Sequence, residues 1–159
     1  MRIIALQGKH NSGKTTTLKK LIEYIHLSAD GFVFEDVNPR RDVLELCRKE
    51  EGDMQYWCTC NGIKLGITTR GDAERYLEAD FFTKRKNFSD RDIVVCAIRS
   101  SGGTVDFVNQ HDTAGPIVCE KRLVADAAGR EQQEKVNAEQ AKEIFDKLKK
   151  LVEENEVRK

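Results

Sequence analysis

The stretch Gly8-Lys9-His10-Asn11-Ser12-Gly13-Lys14-Thr15 constrains the fold more than any other part of the chain. Two glycines bound a polar loop that ends in Lys-Thr. Before it, Arg2-Ile3-Ile4-Ala5-Leu6-Gln7 reads as a short buried strand. After it, Leu18, Leu21, Ile22 and Ile25 recur at helical spacing. Strand, glycine-bounded loop and helix therefore follow one another within the first quarter of the sequence. Gly8 and Gly13 let the backbone turn and approach a ligand with no Cβ in the way. The loop amides and the helix N-terminus then point at a common anion site.

The pattern G-x-x-x-x-G-K-T is that of a Walker A motif, and the stretch resembles the P-loop NTPases. The resemblance implies a nucleotide cradle running from Gly8 through Lys9, His10, Asn11, Ser12, Gly13, Lys14 and Thr15 to Thr16. It implies that Lys14 bridges the β- and γ-phosphates and that the Thr15 hydroxyl binds Mg²⁺. Lys9 after the first glycine is similar to the deviant Walker A of the MinD and nitrogenase-iron-protein class. There an extra lysine reaches the nucleotide of a partner chain, which implies a homodimer formed through nucleotide. That class carries G-K-G-G, where this chain has Gly8-Lys9-His10-Asn11. A solvated lysine at a variable loop position is the other reading of Lys9.

Composition narrows the classes. The chain has 159 residues, enough for one domain with one sizeable core. Lys plus Arg and Asp plus Glu are both 27, so the balance gives no bulk electrostatic reason to expect nucleic acid. No apolar run approaches the roughly 20 residues of a membrane-spanning helix, and the N-terminus reads as a core strand rather than a signal peptide. The five cysteines include no C-x-x-C pair. Cys58 and Cys60 share one face if they lie in a strand, and all five read as reduced, small hydrophobes of a cytoplasmic protein.

Farther along, Phe32 to Val37 reads as a second strand with acids, Asp36 among them, at its carboxyl end near Pro39, and 40–50 as a helix closed by Gly52-Asp53. Asp36 either serves a metal-bound water or substrate hydroxyl, or caps a turn. Met54–Cys60 and Ile63–Thr69 flank Asn61-Gly62, a strong hairpin signal. Asp72 follows the second arm, where it either replaces the Walker B acid beside Mg²⁺ or caps a helix over 73–87. The basic end of that helix, Lys84-Arg85-Lys86, suits a helix C-terminus. The continuous apolar run Asp92–Ile98 reads as a central parallel strand. It leads to Arg99, positioned either to stabilise a transferring phosphoryl group or to make a structural ion pair. Thr104 reads as a helix N-cap. Ile117–Val124 is the last strand, and an apolar stripe from Ala138 to Val152 marks a C-terminal amphipathic helix over about 131–155.

Strands alternating with helices predict one doubly wound α/β domain over 1–159, mainly parallel, with an antiparallel hairpin. The expected activity is Mg²⁺-dependent binding and hydrolysis of a nucleoside triphosphate, with Lys14, Asp72 and Arg99 at the reacting phosphate. A nucleotide or small-molecule kinase is the alternative, and a nucleotide-binding regulatory module with negligible turnover is the third. ATP is favoured over GTP because the nearest string to a guanine-reading N-K-x-D, Asn109-Gln110-His111-Asp112, lacks the lysine. If the likeness extends to Lys9, a non-hydrolysable ATP analogue will produce a symmetric dimer in sedimentation, and Lys9→Ala will prevent it. A chain that stays monomeric at every concentration, with Lys9→Ala as active as wild type, removes the dimer.

Overall fold

The computed structural model describes residues 1–35 and 42–158, except the side chain of residue 126. Asp36, most of the loop before the second helix and the end of the expected second strand lie outside the described residues. Six strands form one sheet: β1 (Arg2–Gln7), β2 (Phe32–Phe34), β3 (Gln55–Cys60), β4 (Ile63–Thr68), β5 (Ile93–Ile98) and β6 (Ile117–Glu120). Their order is β2-β3-β4-β5-β1-β6. β4, β5, β1 and β6 pair in parallel, and β3 runs antiparallel to both β2 and β4. The hairpin thus inserts one reversed strand, as Asn61-Gly62 signals. Asn61 and Gly62 have φ of 53° and 80°, the left-handed values that a tight two-residue hairpin turn needs.

The helices are α1 (Lys14–Leu27), α2 (Val43–Arg48), α3 (Glu74–Glu78), α4 (Gly103–His111) and α5 (Gly129–Arg158). Alternation along β1 and β5 sends side chains to two cores, one on each face of the sheet. Ile4, Leu6, Val95 and Ala97 pack with α1, α2 and α5. Ile3, Ala5, Val94, Cys96 and Ile98 pack with Leu77, Phe81, Phe107 and Val108 from the opposite layer. The apolar stripe of the C-terminal helix is buried from Ala141 to Val152, while its first two turns are exposed. Cys58 and Cys60 lie on one face, as their spacing requires. All five cysteines are free, and burial raises their thiol pKa values, that of Cys58 to about 12. Among the described residues, no helix is long and apolar enough to cross a membrane.

The expected helix over 73–87 is shorter and irregular. α3 gives way to a π-helical turn over Ala79–Thr83, and Lys84 is already extended. The competing interaction is a buried carboxylate. Asp80 is 1% exposed. It accepts hydrogen bonds from Thr68 Oγ1 at 2.7 Å, Gln55 Nε2 at 2.6 Å and Arg70 Nη2 at 2.6 Å, and pairs with Lys84 Nζ at 2.9 Å. Holding Asp80 over the ends of β3 and β4 turns the chain out of regular helix. Lys84 and Lys86 therefore do not form the basic last turn of a long helix.

Burial pushes the Asp80 pKa up, but hydrogen bonds from Arg70, Lys84 and Thr68 outweigh that and hold it below the ordinary carboxylate range. A carboxylate depressed in the folded state stabilises above its unfolded pKa, about 3.9. That contribution is lost as pH falls through the lower folded value. Asp80→Asn should therefore cost about 3 kcal/mol at neutral pH, because it leaves a cation unpaired. Its loss of stability relative to wild type should shrink in chemical unfolding measured below about pH 4. An equal deficit at pH 7 and at low pH would contradict this.

Candidate functional site

β1 lies between β5 and β6, so the loop that leaves its carboxyl end opens at the middle of the parallel part of the sheet. Gly8 N donates to Ile98 O and Lys121 N to Gln7 O, which fastens the loop's start to both neighbouring strands. Gly13 has φ of 91°, a left-handed value that a side chain would strain. α1 begins immediately afterwards, with no side-chain cap and no acid in its first turn. A missing cap costs about 1 kcal/mol. Leu18, Leu21, Ile22 and Ile25 are almost fully buried, and each such side chain stabilises by about 2 kcal/mol. Packing against the sheet thus carries the helix, and its N-terminal amides stay available to an anion.

These amides face a cavity of about 370 Å³ lined by His10, Asn11, Ser12, Gly13, Lys14, Thr15, Thr16, Glu50, Gly52, Asp53 and Asp72. Lys14 is 5% exposed, and its ammonium donates to Gly8 O at 2.5 Å and Lys9 O at 2.9 Å. Desolvation lowers its pKa; Asp72 opposes the shift and Arg99 adds to it. The buried Ser12 Oγ has no hydrogen-bond partner among the described residues. Lys9 is exposed and does not line the cavity.

Two acids approach the loop from different directions. Asp53 Oδ1 accepts from Thr15 Oγ1 at 3.4 Å and from Thr69 Oγ1 at 2.9 Å. Met54 N donates to the same Thr69 hydroxyl, so the segment before β3 is stitched to the end of β4. Buried Lys19 donates to Lys49 O and Glu51 O and holds that segment against α1. Asp72 instead contacts His10, with Nδ1 and Oδ1 3.4 Å apart. Arg99 Nε donates to the Asp72 backbone oxygen at 2.8 Å. Asp72, His10 and Arg99 are therefore joined on one side of the loop and Asp53 with Thr15 on another, and Arg99 does not line the cavity.

Two expected helix caps do not form. Ala73 occupies the cap position of α3, so Asp72 is free of that role. Gly102 occupies the corresponding place before α4, and the Thr104 hydroxyl accepts from Arg99 N at 2.9 Å instead. Gly71 explains why Asp72 sits where it does. A Cβ at Gly71 would come within 1.9 Å of Ala97 O, so only glycine lets this loop lie against β5.

Asp53 is the residue that sequence reasoning missed. It looks like a helix stop, and its approach to Thr15 depends on the β3–β4 register and on Lys19. Lys121 and Asn137 were missed for the same reason. Both lie behind Gly13, within 3.4 Å of where its Cβ would stand, and Asn137 accepts from Thr17 Oγ1. Asp112, the acid of the nearest N-K-x-D string, binds Ile3 N at the opposite end of β1 and cannot reach a base here.

The cradle fits a polyphosphate on its own chemistry: an uncapped helix start and a buried lysine converge on one cavity, with Ser12 in its lining. Among the described residues no group of three His, Cys, Asp or Glu side chains is disposed to hold a metal ion by itself. Thr15 and Asp53 fit a cation only if a ligand's oxygens and water complete its shell. No family model, curated protein or solved structure matches the chain.

If Gly71 is what seats Asp72 beside His10, Gly71→Ala must displace a loop or a strand. The thermal midpoint should then fall by several degrees, about 2 kcal/mol for overpacking of this kind. An unchanged midpoint would show that the loop yields at no cost.

Proposed function

We propose that the chain binds a nucleoside triphosphate with Mg²⁺ at the Gly8–Thr16 loop and cleaves its β,γ bond. The observation that carries this reading is the convergence of Lys14 and the uncapped α1 amides on one cavity that Ser12 also lines. The Lys14 ammonium rests on the loop's own carbonyls and would exchange them for phosphate oxygens, which are stronger acceptors. Thr15 and Asp53 would hold Mg²⁺ through hydroxyl and water, and the metal would neutralise charge on the β- and γ-oxygens. Arg99 and His10 stand on the Asp72 side, where they would meet the terminal phosphate. ATP is the first nucleotide to test, since no guanine-reading string reaches the carboxyl edge.

Removing a charge-assisted contact to phosphate costs about 1.5–3 kcal/mol, so Lys14→Ala should weaken ATP binding about ten- to hundredfold in calorimetry. Equal affinity in a folded Lys14→Ala protein would end the reading. The two acids make separable claims. Asp53→Asn should raise the Mg²⁺ concentration needed for half-maximal turnover, whereas Asp72→Asn should lower turnover at saturating Mg²⁺. The reverse pattern would move the metal to Asp72.

A further inference from the structure

His10 and Asp72 both line the phosphate cavity, and His10 Nδ1 lies 3.4 Å from Asp72 Oδ1. Both side chains are roughly half exposed, and an exposed pair of this kind adds little stability. The position of the acid is nonetheless fixed from behind. Gly71, immediately before it, lies so close to β5 that no side chain fits there. Arg99 Nε holds the Asp72 backbone oxygen at 2.8 Å. Lys14, the buried cation of the cavity, is within electrostatic reach of both Asp72 and Arg99. Asp72 therefore stands near both an imidazole and the lysine that would hold the phosphates. The metal reading draws on Thr15 and Asp53 and leaves Asp72 and His10 without a part.

We propose that His10 is the base of the reaction and water its nucleophile, with Asp72 orienting the ring. The proposal rests on the triphosphate reading above and names the acceptor of the terminal phosphoryl group. A neutral imidazole whose Nδ1 proton is turned to a carboxylate presents Nε2 as an acceptor. The contact of 3.4 Å is longer than the roughly 2.7–3.2 Å of a formed hydrogen bond. Contacts of this kind tighten when the substrate arrives.

In the reaction, the water oxygen attacks the γ-phosphorus while one of its protons passes to His10 Nε2. The bond from that phosphorus to the β,γ-bridging oxygen breaks, and the nucleoside diphosphate leaves with the electron pair. Asp72 stays ionised and stabilises the imidazolium through Nδ1–H. The exposed ring then returns its proton to solvent. Orthophosphate and a nucleoside diphosphate are the products.

The test is steady-state hydrolysis by the full chain with ATP and Mg²⁺, with ATP affinity measured in parallel by calorimetry. His10→Ala should lower kcat at least about a hundredfold. Its ATP affinity should change by less than about threefold, since the lost interaction belongs to the transition state. Its thermal midpoint should stay close to that of wild type. Asp72→Asn should lower kcat in wild type and leave it unchanged in the His10→Ala background, because it acts through the ring. In ¹⁸O-labelled water the label should enter orthophosphate and not the diphosphate. The proposal is overturned if His10→Ala retains wild-type kcat, or if kcat and affinity fall together. It is overturned equally if Asp72→Asn has the same effect in both backgrounds, if the label enters the diphosphate, or if wild type binds ATP and releases no orthophosphate. Each of these leaves triphosphate binding intact, whereas failure of that reading shows separately, as ATP affinity insensitive to Lys14→Ala.

Discussion

The uncapped start of α1 is the constraint on which the surrounding structure depends. A helix beginning with bare amides and a buried lysine is locally unfavourable. It persists because four apolar side chains, Leu18, Leu21, Ile22 and Ile25, farther along the helix are driven into the sheet. The rest of the chain completes its surroundings without filling the space in front of it. β5 and β6 fix where the loop begins, Asn137 and Lys121 back Gly13, and Lys19 ties down the segment that carries Asp53. What remains in front is a cavity edged by three carboxylates, Glu50, Asp53 and Asp72, and bounded by the Gly13–Thr16 segment.

Legibility in the sequence followed the range of the determining interactions. β1, the loop and α1 are specified by neighbours along the chain, and all three lie where the glycines and the apolar spacing put them. The hairpin was equally clear, because Asn61-Gly62 adopts a turn that few other pairs tolerate. The helix after Asp72 was misjudged because its periodicity continues past Glu78, while the path of the chain is decided by Asp80 reaching Thr68, Gln55 and Arg70. The caps open to Asp72 and Thr104 do not form for a related reason: Asp72 follows a glycine held by close approach to β5, and the hydroxyl of Thr104, in the first turn of α4, is taken up by Arg99 N.

The candidate site shows the same division. Its glycine-bounded half, Gly8–Thr16, is a contiguous motif and is readable. Its other half, Asp53, has no local signature. It is assembled by pairing between Met54 and Thr69 across the β3–β4 hairpin and by a lysine from α1. The acid nearest Thr15 thus stands just before the reversed strand, held there by the pairing of the hairpin itself.

Amide resolution tests the central claim most directly. In a ¹H–¹⁵N spectrum recorded with and without ATP and Mg²⁺, the amides of Gly13, Lys14 and Thr15 should show the largest shifts and slowed hydrogen exchange, since they would become donors to phosphate oxygens. Saturating nucleotide that leaves those three resonances unmoved, or that moves only residues elsewhere, would contradict the account.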